Sequence, residues 1–477
     1  MSANRPRLAF IGDMSGPLAA RLKPYADLIP SGNAPGAGAA DGLLLDGSAA
    51  SAADEATVKA ALDSGKLLAV ASPGDGISQT LLKLTGQAPG PGAALVTYRR
   101  SAGRAGYDCT LLPPLKVKRS AYSESGAVAG AAQESSPAPE IGPALVAALN
   151  APPGAGPGEA SLGADLTPPQ GALAGYTRCI TPITNTWDYP SINNNPDDST
   201  VQTADQTVAN QFTNDFYVYW VNGAQGGQPY YVVIMKQTGP MALGTMVANN
   251  SNSRGWFQTY FQLFSNAAFD SNGNHLAAGW SLDHYSPKTS SGQVPITISE
   301  TMQLYARTQS GMGPVQFDAQ VQDLLDIPGW AVLDQTSSPI TAWQYYQSGT
   351  WNPVTNPYDD FPNWWSQVYG DHDYVDPMPD TSYGSIQFEG YTVWRLSPPL
   401  FTPPATFPYN PPPALTVMFS GLGQQVLSLL HNIAGCLGAE GSKHHHLFVM
   451  NNYWGWAWQI NLAQVVQQQN IGDWPAK

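Results

Sequence analysis

The sequence predicts a mainly β protein with a small N-terminal α/β domain and a large C-terminal antiparallel β-sandwich. Of the 477 residues 12% are charged and 10% aromatic, with 42 prolines and 47 glycines, a composition typical of aromatic strands separated by turns. All 14 tryptophans lie after residue 170. Strand-like and helix-like segments alternate only before residue 98. We therefore place domains at 1–122 and 172–477, joined by a linker at 123–171.

The first domain is predicted from short apolar runs with helix-like segments between them. The runs Leu8–Ile11, Leu43–Leu45, Leu67–Val70 and Ala94–Val96 read as buried strands, and 52–64 and 76–84 as helices. This order is typical of a mostly parallel sheet. The turn FIGDMSGPL after the first strand matches neither GxGxxG nor GxxxxGK[ST]. A structural turn is favoured there over a nucleotide site.

The linker at 123–171 is dominated by Ala, Gly, Pro and Ser, with one short helix predicted at Pro143–Asn150. Exposed tracts of this composition are where proteases cut. The first domain is thus either removable or regulatory, or it is simply tethered to the second.

The second domain shows a series of β signals. Strands are predicted at 216–221, 230–235, 255–264, 385–396 and 414–419, and one helix at 422–437 from the spacing of its apolar residues. Near the C-terminus, the stretch NYWGWAWQI places Trp454, Trp456, Trp458 and Ile460 on one face of a strand. We predict that this row closes the sandwich core.

Charge argues against several classes of partner. Residues 1–170 carry 13 Lys and Arg against 14 Asp and Glu, and residues 171–477 carry 8 against 21. So few cations argue strongly against a nucleic-acid partner, and they also argue against electrostatic attraction to anionic lipid. The three cysteines, Cys109, Cys179 and Cys436, give no disulfide framework or metal spacing. The start does not resemble a signal peptide, so the expected location is cytoplasmic, with non-classical release left open.

Residues 294–322 form a predicted amphipathic hairpin. Its candidate stem residues alternate with polar ones, and they are Ile296, Ile298, Met302, Leu304, Val315, Phe317 and Val321. Two kinds of β-structure show this pattern: a sandwich hairpin with one solvent-exposed face, and a stem hairpin that joins others in a transmembrane barrel. Glu300 interrupts the apolar face and would be costly against lipid.

The segment GWSLDHYSPKTSSGQ at 279–293 is similar to the segment that precedes the prestem in bacterial leukocidin/hemolysin β-barrel pore-forming toxins. The order of strand pair, this segment, hairpin and aromatic stretch also resembles that family, as does the last Trp-containing strand. The resemblance covers 216–360 and 447–462. It implies an oligomer that extends the 294–322 hairpins into a shared barrel. The added α/β module and the shorter stem depart from the family.

An aromatic loop at 358–380 is the predicted contact with membrane or sugar. Its candidate residues are Phe361, Trp364, Trp365, Tyr369 and Tyr374. Trp and Tyr prefer the membrane interface, where the resemblance implies a rim, but the same rings stack on sugars or pack within a large loop. Asp371, Asp373 and Asp376 are candidate ligands for Ca²⁺, although their spacing matches no standard calcium loop.

The leading hypothesis is a membrane-interacting, pore-forming toxin-like protein that forms homo-oligomers and binds lipid or a glycan receptor. The alternative is a carbohydrate-binding or self-assembling β-sandwich without catalysis. No HExxH, GxSxG or P-loop pattern occurs, so no catalytic residue is named. A glycan-active enzyme stays open because paired carboxylates are set in space rather than by spacing.

Overall fold

The structure is a computed structural model, and the part of the chain that it describes is interrupted by gaps. The described residues are 5–30, 40–47, 55–101, 106–122, 133–135, 140–150, 173–187, 206–221, 227–242, 253–269, 279–286, 300–306, 315–321, 330–338, 340–347, 388–406, 409, 411–433 and 444–468. The mainly β fold predicted from the sequence is confirmed.

The N-terminal part alternates strands and helices as predicted. Its strands are β1 (Arg7–Ile11), β2 (Asp27–Pro30), β3 (Gly42–Asp46), β4 (Leu67–Ala71), β5 (Gln87–Pro89), β6 (Leu95–Arg100), β7 (Tyr107–Leu112), β8 (Leu115–Tyr122) and β9 (Gln133–Ser135). Its helices are α1 (Pro17–Leu22), α2 (Glu55–Asp63), α3 (Asp75–Thr85) and α4 (Ile141–Asn150). Strands β1 to β4 pair in parallel, whereas β6 and β7 are antiparallel. The predicted α/β unit is therefore confirmed, with an antiparallel extension.

The C-terminal part consists of longer strands and one short helix. They are β10 (Leu173–Trp187), β11 (Gln206–Val221), β12 (Tyr230–Ala242), β13 (Ser253–Phe269), β14 (Trp280–Ser286), β15 (Glu300–Ala306), β16 (Val315–Val321), β17 (Trp330–Asp334), β18 (Ile340–Gln347), β19 (Phe388–Leu396), β20 (Thr416–Ile433), β21 (His444–Asn461) and α5 (Leu462–Gln468). No helix in the described residues is both long enough and apolar enough to cross a membrane.

Two large sheets and one small sheet contain these strands. The 11-stranded sheet has the order β14-β19-β12-β11-β10-β7-β6-β4-β3-β1-β2. The 8-stranded sheet has the order β17-β18-β13-β20-β21-β8-β9, with β5 also paired to β21. Rings from the two sheets meet between them: Phe212 lies 4.2 Å from Trp454 and Phe216 lies 5.1 Å from Phe419, measured between ring centroids. The two sheets therefore pack face to face as a sandwich.

Both sheets continue from the N-terminal part into the sandwich. Strand β7 pairs in parallel with β10, and both β5 and β8 pair with β21. Within the predicted linker lie β9 and α4, and α4 confirms the short helix expected there. The division at 1–122, 123–171 and 172–477 stays a prediction.

The helix predicted at 422–437 is wrong, because its described residues continue strand β20 to Ile433. Two neighbours, β13 and β21, pair with β20 along its length. Gly421 and Gly423 also disfavour a helix. Gly423 lies directly opposite Trp454, and a Cβ atom at Gly423 would overlap the indole ring. Pairing on both edges thus outweighs the helical spacing of the apolar residues.

The predicted role of the tryptophan row is confirmed, since Trp454, Trp456, Trp458 and Ile460 are at most 5% exposed. Trp458 stacks on Tyr98 with a ring-centroid distance of 6.3 Å, and its Nε1 donates to Oε1 of Gln87 at 3.3 Å. Burial of each indole contributes roughly 4–6 kcal/mol of transfer free energy at about 25 cal/mol per Å². The row therefore forms core and offers no surface for a ligand.

Candidate functional site

The candidate site is the hairpin formed by β15 and β16, which make up the two-stranded sheet. Its register pairs seven residues from each strand, from Glu300 opposite Val321 to Ala306 opposite Val315. Residues that alternate along a strand fall on opposite faces. One face thus takes the pairs Met302–Ala319 and Leu304–Phe317. The other takes Thr301, Gln303, Tyr305 and their partners.

The hairpin occupies a particular place in the topology. Before it, the chain leaves β14, which is the edge strand of the 11-stranded sheet. After it, the chain enters β17, which is the edge strand of the 8-stranded sheet. Among the described strands, β15 and β16 pair with each other and with no third strand. The hairpin therefore lies between the two sheets in sequence, and within the described residues it does not pair with a strand of either one.

Five predicted stem residues lie in this hairpin, and two do not lie in the described part of the chain. Met302 and Leu304 are in β15, and Val315, Phe317 and Val321 are in β16. Ile296 and Ile298 lie outside the described residues. Glu300, the charge that interrupts the apolar face, belongs to the pair farthest from the turn.

The predicted membrane- or sugar-binding residues and the calcium candidates lie outside the described residues. They are Phe361, Trp364, Trp365, Tyr369 and Tyr374, and Asp371, Asp373 and Asp376. Where the structure describes the chain, no group of three or more His, Cys, Asp or Glu side chains is placed to hold a metal ion. The aromatic loop and its Ca²⁺ site stay predictions.

Sequence reasoning missed a buried charged cluster on the 11-stranded sheet. Nε of Arg178 on β10 donates to Oδ1 of Asp215 on β11 at 2.5 Å, and Nη2 donates to Oδ2 at 3.4 Å. The hydroxyl of Tyr176 donates to the same Asp215 carboxylate. Burial alone would lower the pKa of Arg178, but the adjacent Asp215 carboxylate raises it overall. The Arg178 guanidinium therefore stays charged within the fold.

The charged cluster forms part of a row of charges that crosses the sheet. The register places Asp108, Arg178, Asp215 and Lys236 on four neighbouring strands in line. Their signs alternate, and the last three are at most 7% exposed. Opposite charges on adjacent strands stabilise this pairing. Only knowledge of the strand register would have revealed the row, because these residues are far apart in sequence.

No model of a protein family matches the sequence, and no curated protein is significantly similar to it. Among solved structures, the chain is similar to the Clostridium perfringens NetB toxin in the membrane-inserted form. The match covers 61% of this chain and 96% of that chain, with 7% sequence identity and a TM-score of 0.29. The structural resemblance is weak. At this identity and TM-score, the match does not indicate a function for this chain, so a functional hypothesis has to be argued from the chain's own residues.

Proposed function

We propose that the chain is a membrane-interacting, pore-forming protein that oligomerises and inserts the β15–β16 hairpin into lipid. The observation that carries the proposal is the hairpin itself. It is amphipathic by its alternation, and it pairs with no other strand in the described residues. A sandwich hairpin would instead share hydrogen bonds with a neighbouring strand. An amphipathic hairpin that pairs with neither large sheet among the described strands supports insertion into a second environment, the lipid bilayer.

Oligomerisation follows from backbone chemistry. A single hairpin in lipid leaves the outer edges of both strands unpaired, and each unpaired N–H or C=O group there costs several kcal/mol. Hairpins from several copies remove this cost when they pair edge to edge and close into a barrel. The proposed partner is therefore further copies of this chain, together with membrane lipid or a glycan receptor.

The length of the hairpin determines what insertion requires. Its seven paired residues per strand rise roughly 23 Å, whereas the hydrocarbon core of a bilayer is about 30 Å thick. A membrane strand uses about 9–11 residues. Residues 294–299 continue the apolar alternation in the sequence and would supply the missing length of the first strand.

The main test is dye release from vesicles, with wild type compared before and after limited proteolysis in 123–171. The decisive variants are Phe317→Asp and its matched control Gln316→Asp, which add the same charge to adjacent residues on opposite faces. We expect Phe317→Asp to reduce release at least about tenfold, because charge on the lipid face of a barrel is costly. Gln316→Asp should retain release. Equal effects of the two variants would overturn the stem assignment.

Lipid composition provides a second arm. Because residues 171–477 carry 8 cations against 21 anions, phosphatidylserine should not increase release over phosphatidylcholine with cholesterol. Vesicles that contain plasma-membrane extract test for a receptor. Absence of release and of SDS-resistant oligomers under every condition would remove the pore. A sugar-dependent retention on glycan resin would then support the carbohydrate-binding alternative.

A third experiment detects insertion of the β15–β16 hairpin into lipid directly. Single cysteines at 302, 303, 304 and 305, in a background without native cysteines, would carry a fluorophore that brightens in lipid. We expect brightening at positions 302 and 304 and little at 303 and 305, since alternate residues of a membrane strand face lipid. A uniform response along the strand would contradict a barrel stem.

A further inference from the structure

Cys109 and Cys179 are direct partners in the 11-stranded sheet. Cys109 lies on β7 and Cys179 on β10, and the two strands pair in parallel with these residues in register. Both side chains are 0% exposed and belong to the same hydrophobic cluster. They meet where the N-terminal part of the sheet joins the first strand of the sandwich. The third cysteine, Cys436, lies outside the described residues.

The backbone geometry at this pair suits a disulfide bond. Neighbouring strands lie about 4.8 Å apart, and the Cα atoms of disulfide-bonded cysteines are about 4.4–6.8 Å apart. Cys109 and Cys179 also share the face of the sheet that packs into the sandwich core. Their side chains therefore start side by side on the same face. Both cysteines are free in this structure, and Sγ of Cys109 donates to the carbonyl oxygen of Tyr107 at 3.8 Å, so the bond requires the Cys109 side chain to turn away from that carbonyl.

The burial of the two thiols determines when such a disulfide bond would form. Burial raises the pKa of the Cys109 thiol well above its ordinary value, and the neighbouring Cys179 raises it further. Burial likewise raises the pKa of Cys179. Since the thiolate is the reactive form, two buried neutral thiols react slowly with oxidants. A disulfide here would form while the sheet assembles, and once formed it would be sheltered from reductants.

We propose that Cys109 and Cys179 are an oxidative modification site, at which a disulfide bond ties the N-terminal part to the β-sandwich. The oxidant would be a small-molecule disulfide such as oxidised glutathione. One cysteine thiolate attacks it and releases one glutathione thiol. The second cysteine thiolate then attacks the mixed disulfide and releases another. The protein loses two electrons and two protons, and the oxidant gains them.

The position of the bond gives it a consequence. The chain between Cys109 and Cys179 contains the whole 123–171 segment, where we expect proteases to cut. A cut there would divide the chain without separating the fragments, because the disulfide would still join them. Release of the N-terminal fragment would then require reduction as well as unfolding of the shared sheets. This inference does not depend on pore formation.

The test refolds the full chain in a buffer of oxidised and reduced glutathione and counts free thiols. The refolded protein is then denatured, its free thiols are labelled with N-ethylmaleimide, and its mass is measured by mass spectrometry. We expect one label on the wild type, at Cys436, and a mass about 2 Da lower for the disulfide. Three labels on folded wild type, or a disulfide that includes Cys436, would overturn the proposal. This count needs no variant.

Variants and cleavage sharpen the result. Cys436→Ser is the matched control and should carry no label, whereas Cys109→Ser should carry two. After a cut within 123–171, wild type and Cys436→Ser should migrate as one band on a non-reducing denaturing gel and as two after reduction. Two bands without reductant would contradict the bond. Circular dichroism identifies any variant that fails to fold. If a variant does not fold, the thiol count of the wild type alone tests the proposal.

Discussion

The β20–β21 hairpin and the β15–β16 hairpin both carry alternating apolar and polar side chains, but they differ in how they pair with other strands. The first pairs 18 residues per strand and has β13 on one side and β8 on the other. Its apolar face holds the buried tryptophan row. The second pairs seven residues per strand and, among the described strands, has no third partner.

Alternation defines the two faces of a hairpin, whereas the neighbouring sheet determines whether one of those faces becomes part of the core. Trp454 and Trp458 are buried because the 11-stranded sheet lies across from them and supplies Phe212 and Tyr98. The β15–β16 hairpin has a similar pattern but, in the part of the chain that the structure describes, is not paired into either large sheet. Substitutions in the first hairpin should therefore affect stability, and those in the second should affect membrane activity.

The largest effect on stability is expected from Trp458→Ala. The side chain is fully buried, stacks on Tyr98 and donates to Gln87. Its removal should lower the free energy of unfolding by about 3–5 kcal/mol, because a cavity remains and Oε1 of Gln87 loses one of its two donors, keeping only the Thr177 hydroxyl. Urea denaturation followed by tryptophan fluorescence and circular dichroism measures the change. A loss below about 1 kcal/mol would contradict the core assignment.

A loss of about 3 kcal/mol is expected from Asp215→Ala, because it leaves the Arg178 guanidinium buried without its carboxylate. The double variant Arg178→Met with Asp215→Leu removes both charges and should recover much of that loss. Denaturant melts of the two variants and wild type test this. If the double variant is less stable than Asp215→Ala, the ion pair contributes more than its desolvation costs and the expectation is wrong.

A smaller loss, of about 1–3 kcal/mol, is expected from Gly423→Ala in the core hairpin. The added Cβ would overlap the Trp454 ring and force it to move. Gly455→Ala is the matched control on the partner strand, because the nearest atom to its added Cβ is Cδ2 of Leu422 at an ordinary 3.5 Å. Thermal melts compare the pair. Equal melting temperatures for the two variants would show that the ring accommodates the methyl group.

The smallest effect on stability is expected from Phe317→Asp in the β15–β16 hairpin. Because this hairpin shares no hydrogen bonds with the large sheets in the described residues, we expect a change within about 0.5 kcal/mol. The same variant should lose dye release. A destabilisation comparable to that of Trp458→Ala would place Phe317 in the folded core and weaken the proposed function.

Local patterns in the sequence determined much of this protein by themselves. The apolar runs became strands β1, β3, β4 and β6, and the short helix in the predicted linker became α4. The alternation in NYWGWAWQI identified the buried face of β21. The paired arms of the β15–β16 hairpin were also predicted, although Ile296 and Ile298 lie outside the described residues. These features follow from side-chain spacing, which acts within a few residues.

The features that involve residues distant in the chain follow from the tertiary structure and not from local sequence patterns. Helical spacing at 422–433 gave way to a strand, because β13 and β21 supply hydrogen bonds along both edges of β20. The register alone brought Arg178 to Asp215 and Cys109 to Cys179. The junction of β7 with β10 likewise joins the N-terminal part to the sandwich in one sheet. Pairing between distant strands is set by the whole fold, since no local spacing encodes which strand lies beside which.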